Sequence, residues 1–174
     1  GARGDVWIGG DQGVLLQWDG SNLRPWPRVT DQIRGIVGVG ERLWTFGGTE
    51  DLIIDPSTGT VAPRPFPLLR TNGVYYDKKS LWRAGASTAI GLLTQEDLTT
   101  NLITFNYPLP VLGTAFMSVY VNEDDVWVVG FSYTIEQDQV KLQKGIAVHL
   151  TNKGQTEIRY EMPSPLFTVV GDGT

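Results

Sequence analysis

The chain has 174 residues, a formal net charge of −5 and a pI near 4.8, with 21 glycines, 10 prolines, one histidine and no cysteine. The missing cysteines exclude disulfides, thiolate catalysis and zinc–thiolate sites together. The acidic balance, with no run of five Lys or Arg, argues against nucleic acid or an anionic membrane surface as partner, and no apolar run is long enough to span a bilayer.

The first element lies in DVWIGGDQGVLLQWDG, residues 5–20. A strand carrying Val6-Trp7 reaches Gly10, a second apolar run GVLLQW follows, Asp19-Gly20 marks a tight hairpin turn, and LRPWP closes the unit on prolines. The same order returns downstream. IRGIVGVG leads into Leu43-Trp44 with Gly47, then DLIIDPSTG, then VAPRPFP. NGVYYDK leads into Leu81-Trp82 with Gly85, then IGLLTQEDL, then LITFNYPLP. FMSVYVNE leads into Val126-Trp127 with Gly130, then GIAVHLTNKG, then TEIRYEMPSP. Each run is short, rich in Val, Ile, Leu and aromatics, and bounded by Gly, Pro, Asp or Asn, which selects strand over helix.

Four short strands per unit, in units of roughly 40 residues, describe the blades of a β-propeller. The fold expected is all-β, a β-propeller built of four four-stranded antiparallel blades. The blades fall at 33–66, 71–109 and 116–163, with the first assembled from 166–174 plus 1–27. The C-terminal run SPLFTVVGDGT supplies the innermost strand that the N-terminal blade lacks, either within one chain or between two exchanging chains. A fragment of a larger ring, for instance an eight-bladed one, satisfies the same count. The four repeated tryptophans are read as wedges between blades, and the glycine three residues on as the means of turning into the next strand. Residues 133–145 read as an extended hairpin that lengthens the last unit.

The pattern VW-x-x-G…G…L…W-D-G, strongest over residues 5–20, resembles the repeat of bacterial β-propellers found in exported proteins and in the ectodomains of sensor kinases. The resemblance implies the fold and an extracytoplasmic setting, and it carries no activity with it.

The search for chemistry is mostly negative. His149 stands alone on a strand, and no serine sits in a G-x-S-x-G elbow, so neither a histidine metal site nor a hydrolase triad is supported. Paired acids occur at Glu50-Asp51, Glu96-Asp97 and Glu123-Asp124-Asp125, and are read as turn residues facing water. No cofactor is expected, apart from a structural calcium ion that oxygens in the channel could hold. Binding residues concentrate on loops carried by a rigid scaffold. Propeller topology brings Arg34, Asn72, Ser118 and Thr168 to the channel mouth, ringed by Asp11, Arg28, Asp31, Glu50, Arg70 and Tyr133. The reading is a non-catalytic binding scaffold for a protein, peptide or glycan, acting as a monomer or a strand-exchanged homodimer. The alternative is a carbohydrate-active enzyme, which needs two carboxylates converging in a cleft.

Overall fold

The computed structural model describes residues 4–27, 32–47, 50–64, 70–151 and 156–171. They form fifteen antiparallel strands in four meandering sheets, the blades of a four-bladed β-propeller arrangement. The first blade is β1 (Val6–Gly9), β2 (Leu15–Trp18) and β3 (Leu23–Pro25). The second is β4 (Gly35–Val39), β5 (Arg42–Phe46), β6 (Asp51–Asp55) and β7 (Thr60–Arg64). The third is β8 (Arg70–Tyr76), β9 (Ser80–Ser87), β10 (Ile90–Asp97) and β11 (Leu102–Leu112). The fourth is β12 (Thr114–Asn122), β13 (Asp125–Glu136), β14 (Gln139–Thr151) and β15 (Thr156–Met162). Residues 133–145 extend β13 and β14 into the expected hairpin.

Period-two alternation explains how the blades stack. Three of the four repeated tryptophans face the following blade. Trp7 packs with Leu43 and Ile54 of the second blade, Trp44 with Leu81 of the third, and Trp82 with Val126 and Leu150 of the fourth. Trp44 and Trp82 are buried, whereas Trp7 and Trp127 are half-buried. Trp127 stacks on His149 of its own sheet, with ring centroids 4.1 Å apart.

Two of the four repeated glycines, Gly10 and Gly47, stand where their strands end, as expected, while the other two serve a different purpose. Gly85 and Gly130 lie inside β9 and β13, not at turns. A Cβ on Gly130 would stand 2.0 Å from the carbonyl oxygen of Ala115, so the glycine admits the neighbouring strand where β12 bulges between Phe116 and Ser118.

The all-β, four-bladed reading stands, but the strand expected to complete the first blade is not there. Residues 165–171 belong to no strand, and the first sheet has three strands among the described residues. The segment lies instead on the fourth blade: Leu166 N donates to Gly130 O (3.2 Å), and the Phe167 ring meets that of Phe131 at 5.8 Å. Inner strands β4, β8 and β12 pack in succession from β1, yet no such packing joins β12 back to β1 among the described residues. The physical reason is local: Phe167 finds an aromatic partner and Leu166 N a carbonyl acceptor on β13, within the blade that leads into the segment.

Candidate functional site

Bulges aim side chains toward the axis of the inner strands. In β8 the register shifts between Thr71 and Gly73, and in β12 between Phe116 and Ser118. A bulge leaves one residue unpaired and turns its side chain out of the ladder. Asn72 is that residue in β8, and its Nδ2 donates to Phe116 O, at the bulge of the next blade (2.8 Å). Arg34 occupies the same phase, each residue standing ten positions ahead of its blade's tryptophan.

A belt of hydrogen bonds follows. Gln32 Nε2 donates to Asp11 Oδ1 (2.9 Å), Arg34 Nε donates to Gln32 Oε1 (2.9 Å), and Arg34 Nη1 donates to Asn72 Oδ1. Beyond Phe116, Val169 N donates to Ser118 Oγ (3.3 Å). Asp11, Gln32, Arg34 and Asn72 are thus linked across the first three blades, and Asn72 reaches the fourth at Phe116 O. Gly47 lies beneath the belt, with φ +115° and a would-be Cβ only 2.6 Å from that of Arg34.

The electrostatics centre on Arg34. Partial desolvation lowers its pKa below the ordinary arginine value, and the positive charge of Arg70 lowers it further, against an opposing pull from Asp11. Its hydrogen-bond partners are two neutral amides. The cation is thus fixed in place without a carboxylate bonded to it among the described residues.

The remaining candidates scatter. Arg70 is exposed at the start of β8, Glu50 is exposed beside β6, and Thr168 is exposed on the C-terminal segment. Tyr133 lies elsewhere, at the root of the long hairpin, where its N–H donates to Gly113 O (2.6 Å). It lines a shallow cleft with Val111, Leu112, Lys144 and Glu161. Arg28 and Asp31 lie outside the described residues.

One charged cluster runs against the sequence reading. Asp51 and Glu96 do not face water. Both are buried against Arg83, whose side chain is fully enclosed between the second and third blades. Arg83 Nη2 lies 3.1 Å from Glu96, Arg83 Nη1 bonds Asp51, and Arg64 Nη1 adds a 3.0 Å bond to Glu96. The arginines are covered by aromatic faces, Arg64 over Trp44 at 4.4 Å and Arg83 over Phe46 at 4.8 Å. Burial raises the Asp51 pKa despite the adjacent Arg83, and burial lowers that of Arg83 despite both acids. A signal was present in the run LWRAGAS. A second strand is covered on both faces, so an arginine on it requires buried carboxylates. These two converging acids are buried and bound to arginine. For the calcium expectation, the described residues contain no group of three or more acidic or histidine side chains that could hold a metal ion.

No family model matches the chain, and no curated protein does. Solved structures do. The β-propeller domain of Cps50 (Swd1) from Myceliophteria thermophila superposes with a TM-score of 0.55 at 11% identity, over 93% of this chain and 68% of that one. A chain from the S. cerevisiae assembly of Dbp5 with Nup159, Gle1, IP6 and ADP gives 0.51 at 9% identity, over 97% of this chain and 60% of that one. Both likenesses concern the fold.

Proposed function

We propose that the chain is a non-catalytic binding scaffold that takes a protein or peptide at the mouth formed by the starts of its inner strands. The observation that carries this reading is Arg34, held by Gln32 and Asn72 with the second positive charge of Arg70 nearby. A guanidinium fixed in this way presents donors to a carboxylate, and the ordering of its side chain is already met by the fold. The partner chemistry that fits is an acidic side chain or a C-terminal carboxylate. A neutral glycan would leave the cation unused. The enzymatic alternative has less support, because the acids that do converge are bound to Arg83.

The test is titration of the 174-residue chain with a panel of Asp- and Glu-bearing peptides, read by fluorescence polarisation at two salt concentrations. Binding should weaken with salt and drop about tenfold or more in Arg34→Gln, the range typical of one lost charge-assisted contact. Arg70→Gln should weaken it less. Absence of binding across the panel, or binding indifferent to Arg34→Gln, overturns the proposal.

A further inference from the structure

Six asparagines stand in the chain, and Asn72 alone is followed by glycine. Leu, Tyr, Glu or Lys follows each of the other five. Both members of the Asn72-Gly73 pair are fixed by separate needs of the fold. Asn72 joins the second blade to the fourth through Arg34 and Phe116 O. Gly73 lies so close to the fourth blade that a Cβ on it would stand 2.5 Å from Met117 O. The positions in the same phase are Arg34 and Gly35 in the second blade and Met117 and Ser118 in the fourth, so of these three inner strands only that of the third blade holds the amide–glycine pair.

The chemistry open to such a pair is intramolecular. The Gly73 nitrogen attacks the side-chain carbonyl carbon of Asn72. The bond from that carbon to Nδ2 breaks, and ammonia leaves with the proton that Gly73 N gives up. A cyclic succinimide remains. Water opens it to aspartate or, with the main chain rerouted through the side chain, to isoaspartate. A side chain on the following residue hinders the attack, and glycine has none. Two features of this site favour the reaction. Asn72 sits in a bulge, outside the ladder that pairs Thr71 with Gly85 and Gly73 with Ala84, so ring closure breaks no strand pairing of its own. Arg34 Nη1 donates to Asn72 Oδ1, the oxygen on which negative charge gathers as the nitrogen adds, and a fixed cationic donor at that point lowers the barrier. Asn72 is also only half-buried, which leaves it open to the water that hydrolyses the ring.

We infer that Asn72 is a self-modifying site, converted without an enzyme to aspartate and isoaspartate in the folded chain, and that the conversion shuts off binding at the mouth. The product carries a carboxylate where Arg34 now meets a neutral amide, so the guanidinium is neutralised from within. The Nδ2 donor to Phe116 O is lost, and an anionic oxygen is set beside that carbonyl. Isoaspartate also adds a main-chain atom to β8 where Gly73 packs against Met117 O. The chemical step involves Arg34, Asn72 and Gly73 alone, and its effect on binding rests on the acidic-partner reading.

The 174-residue chain is incubated for weeks at body temperature and mildly alkaline pH, then digested with trypsin, which releases residues 71–78 as one peptide. Mass spectrometry should show the exchange of amide for acid at Asn72 before any other asparagine, while the β-sheet circular dichroism spectrum persists. Arg34→Gln should slow the conversion several-fold, and Arg34→Lys, which keeps a cationic donor, should slow it less. Asn72→Asp, the product made directly, should bind Asp- and Glu-bearing peptides about tenfold or more weakly than the parent. Should that variant fail to fold, the aged chain separated by ion exchange takes its place. No conversion at Asn72 in the folded chain, another asparagine converting first, or a rate unchanged or raised in Arg34→Gln overturns the inference. Peptide binding by Asn72→Asp equal to that of the parent overturns the shut-off. If no acidic peptide binds the parent, the binding proposal fails, and the mass spectra still decide the conversion.

Discussion

A cation on the second strand of a blade has no water-facing side to which it can turn. Arg83 is held there by Asp51 and Glu96, with its guanidinium over Phe46. Replacing it by methionine roughly keeps the volume, strands the Asp51 carboxylate where water is excluded, and leaves Glu96 with Arg64 alone. Breaking a buried pair from one side costs about 3–5 kcal/mol, so Arg83→Met should lower the unfolding free energy by that order in a urea titration. Adding Asp51→Leu and Glu96→Leu should recover part of the loss, because apolar replacement of a whole buried cluster is often neutral or better. If the triple variant were no more stable than Arg83→Met, the cluster would not be acting as one electrostatic unit. The same scale separates two glycines of one motif. Gly130→Ala drives a methyl into Ala115 O, whereas nothing lies within 4 Å of a Cβ on Gly10. Overpacking of this sort costs about 1–3 kcal/mol, so Gly130→Ala should destabilise measurably. Gly10→Ala should stay within about 0.5 kcal/mol of the parent, as surface substitutions usually do.

Elements were legible where a local rule fixes them. The hairpin of β13 and β14 was readable because polar and apolar residues alternate across 133–142, and its register pairs Tyr133 with Leu142 and Ile135 with Val140. The turn after β2 was readable as a turn but not in its length. Asp19 Oδ1 accepts from both Ser21 N and Asn22 N, and Asp19 N donates to Asn22 O, which spreads the loop over four residues instead of two. The bulges were not legible. Nothing in the sequence spacing says that Asn72 leaves its ladder, because that depends on how closely Gly73 approaches Met117 O of the neighbouring blade. The hairpin gives a prediction at this scale. Ile135 and Val140 are exposed, and the bonds that anchor the hairpin lie at its root, through Tyr133 N and Ser132 Oγ. Replacing Thr134–Lys141 by Asn-Gly therefore removes little buried surface and shortens a surface excursion, which changes chain entropy by well under about 1 kcal/mol. The melting temperature should move by no more than a few degrees. A collapse of the fold would mean that the hairpin is part of the core.

At the scale of the whole molecule the sequence carries the repeat, and the repeat carries the blade. What it did not carry is the closure. Pairing between the chain's two ends competes with a local alternative, the apolar face of the blade that residues 165–171 leave, and proximity along the chain favours the local contact. The acids divide in a similar way between what composition shows and what only packing decides. Asp19, Asp55 and Asp97 each open a turn, and their pKa values are lowered by hydrogen bonds from the turn: Asn22 N, the Ser57 hydroxyl and Thr100 N, respectively, lead among the causes. Asp51 is raised, chiefly by burial. A group whose folded value is lowered contributes stability that is present above its unfolded value and lost as pH falls through the folded one. A raised carboxyl contributes in the opposite sense: its contribution is present below the unfolded value and lost as pH rises. The three turn aspartates and Asp51 therefore pull against each other; below the ordinary aspartate value of 3.8 the contribution of Asp51 is already in place, and the further change comes from the three turn groups. The melting temperature should fall as pH drops from 4 toward 2.5. Asn in place of Asp keeps the accepting oxygen and removes the titration, so Asp19→Asn, Asp55→Asn and Asp97→Asn together should flatten that decline while preserving the fold at pH 7. An unaltered slope in the triple variant would mean that the three turn aspartates do not carry the acid sensitivity.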